Sequence, residues 1–427
     1  MDESDDAYLA RRAGARHTPI GANLSARPLL HRLDPLDHVV RGSRLVKPIS
    51  VALSRSSRQR GGMQMESPDI SRKVTVAVIP GDGIGTEVME PTLGILEAVG
   101  ERHGLEFAWQ HHDWSCEYYT RTGAMMPEDG LEQLAAADQI LLGAVGFPGV
   151  PDHVSLWGLL IPIRRAFRQY INLRPVRLMP GIDSPLVLRE GTEIDFVVVR
   201  ENNEGEYSEV GGRMYRGTPD EFAVQESVFT RRGVERAARF ALDLAASRRG
   251  SLASATKSNG IVHTMPFWDE VVHDCARDYP GVEVRDYHID ALAALFVLDP
   301  GRFDVVVASN LFGDILTDLG AAIIGSIGIA PSANLNPEGE HPSMFEPVHG
   351  SAPDIAGQGI ANPLGQIWAA SLMLDHLGHP QAAAEVVSAI EASLTSGVRT
   401  RDLGGTASTT EVADAVLRHV TSEGAAA

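Results

Sequence analysis

From residue 73 onward the chain alternates short β-branched runs with longer stretches of helical period. Apolar runs at 74–79, 140–142, 196–199, 282–284 and 305–307 have the brevity and Val/Ile content of buried strands. Between several of them lie stretches such as 87–99 and 231–246, where apolar residues recur three and four positions apart. Strands alternating with helices predict an α/β protein. No internal repeat breaks the pattern, and no apolar stretch is long enough to span a bilayer, so a membrane is not an expected partner.

Residues 1–70 depart from this order. The first 60 hold eleven Lys/Arg against six Asp/Glu, a net of +5, so with −19 for the whole chain the remainder carries −24. This leader is rich in Arg, Ser, Pro and Gly and shows no sustained period. It lacks the apolar core of a secretory signal, and its acidic start (Asp2, Glu3, Asp5, Asp6) is wrong for a transit peptide. It is expected to be a disordered leader or a start-site artefact, with Met63 or Met65 as the working start. The acidic remainder would repel a phosphate backbone, which argues against nucleic acid as a partner. A chain of 427 residues, 44% hydrophobic and 22% charged, has room for two globular domains. Cys116 and Cys275 lie far apart with no metal-ligand spacing, which fits a reducing cytoplasm.

The first candidate chemistry is VIPGDGIGTE, residues 78–87, between an apolar run and an amphipathic one. A dinucleotide fingerprint needs G-x-G-x-x-G opening a helix. Here Gly81, Gly83 and Gly85 bring the third glycine one residue early, so a tight strand-to-helix turn is the plainer reading.

A stronger signal is SNLFGDILTDLGAAIIGSIGIAPSAN, residues 309–334. Asp314 and Asp318 are four apart and share a helix face, among Leu311, Phe312, Ile315, Leu316, Leu319 and Ile323. Isolated acids on a helix are usually solvated, but carboxylates beside so much apolar surface need a partner. Hard oxygen ligands suit Mg²⁺ or Mn²⁺, and Asp290 in DYHIDALAALF could serve the same ion. The basic counterpart is RRAFRQYINLRP, with Arg164 and Arg174 at its limits, and Arg200 ends the run DFVVVRE. Taken singly each arginine is an ordinary surface charge; converging, they point to a di- or tricarboxylate. Lys257 in ASATKSNG and Tyr207 in ENNEGEYSEVGG are acid–base candidates only as members of such a set. The Gly/Pro-dense segment 344–363 reads as an ordered loop offering backbone donors, with His349 for stacking and Asp354 for a sugar diol.

Taken in order, IPGDGIG, NLRP, RENNEGEY, TKSN, NLFGDILTD and FEPVHGSAPDIAG resemble the β-decarboxylating dehydrogenases, the family of isocitrate, 3-isopropylmalate, tartrate and D-malate dehydrogenases. The resemblance runs from about Lys73 to the C-terminal helices. It implies an isocitrate/isopropylmalate dehydrogenase-like two-domain α/β fold with a mixed sheet, not a Rossmann fold. The implied larger, nucleotide-binding domain spans 71–175 and 320–427, and the smaller one, with the dimer interface, 176–319. Arg164, Arg174 and Arg200 match the arginines that hold substrate carboxylates, Tyr207 and Lys257 the catalytic pair, and Asp290, Asp314 and Asp318 the metal ligands. The implied cofactors are NAD and Mn²⁺ or Mg²⁺, with a monovalent cation such as K⁺ as a further candidate. His349, Gly350, Ser351, Ala352, Asp354, Ile355, Asn362 and Asn259 match nucleotide-binding positions. Asp354 and Ile355 resemble the NAD-using members, since a carboxylate accepts from a ribose diol and repels a 2′-phosphate. The implied assembly is a homodimer with a shared active site, to which Lys257 and Asp290 come from the second subunit.

Substrate choice in such proteins is read largely before Arg164, in VSLWGLLIPIR. Isocitrate members carry a serine and an asparagine where this chain has Gly158 and Leu160, and isopropylmalate members a glutamate where it has Trp157. The segment is most similar to the tartrate and D-malate members, and a bulky Trp157 would shrink the pocket toward a four-carbon hydroxy-diacid. A 3-isopropylmalate dehydrogenase is the alternative. A non-catalytic relative is disfavoured by the retained Lys257, Tyr207 and aspartates. A metal-independent Rossmann hydroxy-acid dehydrogenase is disfavoured by the glycine spacing.

Overall fold

The computed structural model describes residues 73–422, so the leader expected over 1–70 lies outside them. Its strands in chain order are β1 (Val74–Gly81), β2 (Phe107–His111), β3 (Gln139–Ala144), β4 (Ile171–Arg177), β5 (Asp195–Glu201), β6 (Gly211–Met214), β7 (Phe222–Gln225), β8 (Ser251–Thr256), β9 (Glu283–His288), β10 (Val305–Ala308), β11 (Pro331–Leu335) and β12 (Ser343–Pro347). Ten of them form one sheet in the order β2-β1-β3-β12-β11-β4-β5-β10-β8-β9. The sheet is mixed. β1, β2, β3 and β12 run parallel, β11 is antiparallel to both β12 and β4, and β5 is antiparallel to β4. β5, β10, β8 and β9 form a second parallel set. Ligand loops collect at the carboxyl ends of parallel strands, and this sheet offers two such sets of ends.

The β-branched runs of β1, β3, β5 and β10 are strands because both faces are covered, whereas β9, at the sheet edge, is exposed or half-buried throughout. Val76, Val78 and Ile79 of β1 and Val197, Val198 and Val199 of β5 are wholly buried. Helix Ile84–His103 buries Ile84, Val88, Thr92, Ile95 and Val99 at helical spacing and ends on left-handed Gly104. Leu364–His376 is buried on all sides from Leu364 to Leu374 and packs against β11 and β12. Arg231–Ser247 and Thr264–Ala276 cover the β5-β10-β8 side, where the Trp268 indole donates to Ser254 Oγ at 3.1 Å. The positions 175/176 and 319/320, where the sequence divides the domains, fall within β4 and within helix Asn310–Ile323.

β6 and β7 form a separate two-stranded ribbon with every residue exposed. Met214, Tyr215, Phe222 and Val224 present apolar surface on or beside it. Among the described residues no helix is long and apolar enough to cross a membrane.

Candidate active site

The middle of the sheet carries polar residues at alternate positions on one face. Register pairs Ser332 with Glu346, Asn334 with Asn172, and Asn172 with Arg200, and Arg174 lies two positions along β4 on the same side. Buried polar groups there must find partners, and these do. Asn334 Nδ2 donates to Glu346 at 2.8 Å, while its Oδ1 accepts from Asn172 and Asn202, both at 2.9 Å. Asn172 also donates to Ser332 Oγ at 2.8 Å. Glu346 in turn holds Arg164 at 2.8 Å.

Helix Asn310–Ile323 lies across this stripe. Ser309 caps it by accepting from Phe312 N–H, and Glu206 places a carboxylate at the same end, accepting from Leu311 N–H and Ser309 Oγ. Gly313 lets the helix rest on the stem of Arg200: a Cβ there would fall 2.6 Å from Arg200 Cβ. Arg200 is clamped from the helix. Asn310 Oδ1 accepts from its Nε at 3.0 Å and Nη2 at 2.7 Å, and Asp314 takes its Nη1. Arg174 Nη1 lies 3.4 Å from Asp314 and 3.8 Å from Asp318. The Tyr207 hydroxyl donates to Asp314 at 3.1 Å.

These groups perturb one another. Burial pushes the Arg200 guanidinium down to about 10, against the pull of Asp314. Burial would raise Asp314, but Arg200 and Arg174 outweigh it and hold that carboxyl below its usual range. Asp318 moves the other way, raised by burial and by Asp314 beside it despite Arg174. Burial and the Asp314 carboxylate raise the Tyr207 phenol, so at neutral pH it carries its proton. The result is a cavity of about 170 Å³ lined by Arg164, Arg165, Arg174, Arg200, Tyr207 and Asp314, with Leu156 and Ile161 as apolar wall. Four guanidinium groups around so small a space make a receptor for a compact polyanion.

Lys257, Asp290 and Asp318, expected at the site, are absent from this lining, though Asp318 lies 3.8 Å from Arg174. Lys257 follows β8, Asp290 opens helix Ile289–Leu298 after β9, and the two pair with each other at 2.7 Å. That hydrogen bond holds the Asp290 carboxyl below its usual range. Asn259 lies exposed in the turn beyond Lys257. Trp157, expected to narrow the pocket, does not line it either; its ring carries the Arg165 guanidinium at 5.1 Å. Among the described residues no three His, Cys, Asp or Glu side chains of one chain come together as a metal-binding group. One chain brings Asp314 and Asp318 to one helix face, oxygen donors of the kind Mg²⁺ or Mn²⁺ takes.

The glycine turn meets the 349–355 segment. Gly83 has φ +57°, and a Cβ on it would run into the Ser351 carbonyl, which accepts from Ile84 N–H at 2.9 Å. Asp82 accepts from Cys116 N–H and Gly146 N–H, each at 3.0 Å, tying the turn to the segment after β3. Between residues 145–152 and 350–353 opens a cleft of about 640 Å³. Gly350, Ser351 and Ala352 line it, while Asp354 is exposed and Ile355 half-buried on the same loop. His349 is buried, its Nδ1 bonded to the Gly350 carbonyl and its Nε2 without a protein partner. A buried ring nitrogen left open beside a cleft fits a nucleotide-binding loop. The Asn362 amide is occupied internally, donating to Asp402 at 2.9 Å and accepting from Leu364 N–H at 3.0 Å.

Arg165, Asn202, Asn310 and Glu346 escaped the reading of the sequence. Asn310 could have been found, since Asn310, Asp314 and Asp318 recur every four residues on one helix face. Arg165 was masked by its neighbour Arg164. Glu346 lies on β12 and Asn202 just beyond the end of β5, and no local pattern encodes the strand pairing that brings them together.

A family model described as isocitrate/isopropylmalate dehydrogenase matches residues 75–416. The chain is 56% identical over 347 residues to a Bacillus subtilis (strain 168) protein called probable tartrate dehydrogenase/decarboxylase, covering 81% of this chain and 97% of that one. It is 55% identical over 355 residues to the Escherichia coli (strain K12) D-malate dehydrogenase [decarboxylating], covering 81% and 98%. Among solved structures, isocitrate dehydrogenase from Methylococcus capsulatus superposes with a TM-score of 0.74 at 32% identity, covering 82% of this chain and 99% of that one.

Proposed function

Because the chain belongs to the isocitrate/isopropylmalate dehydrogenase family, we propose that it oxidises tartrate or D-malate with NAD and a divalent metal ion, and releases the β-carboxylate as CO₂. The arginine pocket carries this reading: it matches a small dicarboxylate in charge and size. Arg164, Arg174 and Arg200 hold the two carboxylates with their forks. Asp314, Asp318 and Asp290 would hold the ion, which would supply Lewis-acid polarisation of the substrate oxygens, and bound NAD⁺ would supply the hydride acceptor for C2. Lys257 removes the C2 hydroxyl proton as the hydride departs. After CO₂ leaves C3, Tyr207, whose raised phenol keeps its proton, donates it to that carbon.

Lys257 and Asp290 enter this pocket from a second copy of the chain. Two features support a homodimer. Both residues lie away from their own chain's arginine pocket, and Ile261, Val262, Val297 and Leu298 expose apolar surface near them. A lone ribbon such as β6–β7 is also marginal in water unless something packs on it. The nucleotide lies along residues 349–355 in the larger body (71–175 with 320–427), and residues 176–319 form the smaller one. Two buried, unpaired cysteines accord with a cytoplasmic setting.

The test is NADH formation with a panel of 2-hydroxy diacids, including 3-isopropylmalate, with Mn²⁺ or Mg²⁺ and again with EDTA. Turnover of tartrate or D-malate that needs the metal is expected. Inactivity toward every diacid, or full activity in EDTA, rejects the proposal.

A further inference from the structure

A fourth arginine in the pocket is left over once the two substrate carboxylates have been given to Arg164, Arg174 and Arg200. Arg165 differs from those three in its setting. Their side chains are 11%, 9% and 5% exposed and are braced by Glu346 or Asp314; Arg165 is 35% exposed, at the rim. It is nonetheless held in place. Nη1 lies 3.1 Å from Glu209, Nη2 donates to the Tyr207 carbonyl at 3.3 Å, and the Trp157 ring underlies the guanidinium. A guanidinium carries five N–H donors, so donors remain for a substrate oxygen after those two contacts.

The anchor on Tyr207 indicates which oxygen. In the proposed reaction Tyr207 delivers a proton to C3, so its side chain must approach that carbon, and Arg165 is bonded to the main chain of the same residue. We infer that Arg165 is a specificity residue that reads the substituent on C3, donating to a C3 hydroxyl and rejecting a C3 alkyl group; this rests on the function proposed above. Tartrate, D-malate and 3-isopropylmalate differ there, carrying hydroxyl, hydrogen and isopropyl. A hydroxyl replaces the water that Arg165 loses on substrate binding, whereas an isopropyl group strips that water and returns no acceptor. Trp157 then acts through Arg165, bedding its guanidinium, and not by walling the pocket.

The experiment compares kcat/KM for the three diacids, at the same NAD⁺ and Mn²⁺ concentrations, in the wild type, Arg165→Leu, Arg165→Lys and Trp157→Ala. Losing one charged hydrogen bond should lower the tartrate-to-D-malate ratio about ten- to a hundredfold in Arg165→Leu, chiefly through KM. The 3-isopropylmalate-to-D-malate ratio should rise in the same variant. Arg165→Lys, which keeps the charge without the fork, should fall between wild type and Arg165→Leu, and Trp157→Ala should shift the tartrate ratio in the same direction but less. Unchanged ratios in Arg165→Leu, whatever happens to the absolute rates, overturn the inference and leave the activity standing. A wild type that turns over none of the three overturns both.

Discussion

Glu201, the last residue of β5, gives the sharpest test of how this site region is held. It is 1% exposed, and its carboxylate accepts from the N–H groups of Asn203 at 3.1 Å and Glu204 at 2.8 Å, with Arg236 Nη2 at 3.4 Å. It therefore fixes the turn that leads from Arg200 to Tyr207. Burial raises its carboxyl more than these donors lower it, to about 7 from 4.5. Because the folded pKa is the higher one, the folded state keeps a proton that the unfolded chain gives up above 4.5. Stability is therefore lost as the pH rises from 4.5 through about 7, and levels off above. At about 1.4 kcal/mol per pH unit the whole loss is about 3.5 kcal/mol, of which roughly 2.5 kcal/mol falls between about pH 5 and pH 8. Glu201→Gln removes the titration and keeps an oxygen for the turn. Urea unfolding of wild type and variant at those two pH values, followed by tryptophan fluorescence, should show the variant gaining about 2.5 kcal/mol on the wild type between the lower and the higher pH. Parallel stability curves would refute the reasoning, because they would mean that Glu201 is ionised throughout.

Asp314→Asn should abolish turnover and weaken Mn²⁺ binding measured by calorimetry, with the far-ultraviolet circular dichroism unchanged; wild-type Mn²⁺ affinity would remove Asp314 from the ligand set. Tyr207→Phe should slow product reprotonation more than hydride transfer in single-turnover assays that follow NADH and CO₂ separately, and equal slowing would count against its role as proton donor. Asp354→Lys combined with Ile355→Tyr should move the kcat/KM preference from NAD toward NADP, because a 2′-phosphate would then meet a cation; an unmoved preference would place the ribose elsewhere.

What could be read in advance depended on how far apart in the chain the cooperating residues lie. The runs 74–79 and 305–307 announced β1 and β10 because their burial is a local property. Asp314 and Asp318 were legible because one helix turn separates them. The imperfect spacing of Gly81, Gly83 and Gly85 spoke against a phosphate cradle, and the structure supplies the reason: Gly83 makes room for the Ser351 carbonyl, more than 260 residues further along the chain. The Asn172–Asn334–Glu346 stripe was invisible, since its members meet only through pairing of β4, β11 and β12. Trp157 was expected to narrow the pocket, whereas its position beneath Arg165 depends on how two half-buried side chains settle on one another.

That polar stripe also bears on how the chain finds its fold. A strand slipped by one residue turns every side chain to the opposite face. In β4, β5, β11 and β12 such a slip would carry Arg174, Arg200, Asn334 and Glu346 to the apolar face of Leu173, Val199, Ala333 and Phe345 and break the amide chain that satisfies them. The polar groups beneath the arginine pocket thus also penalise misalignment in the region where strand direction reverses three times, between β12 and β11, between β11 and β4, and between β4 and β5. Substitutions such as Asn334→Leu should accordingly surface as low soluble yield and aggregation before they surface as poor kinetics.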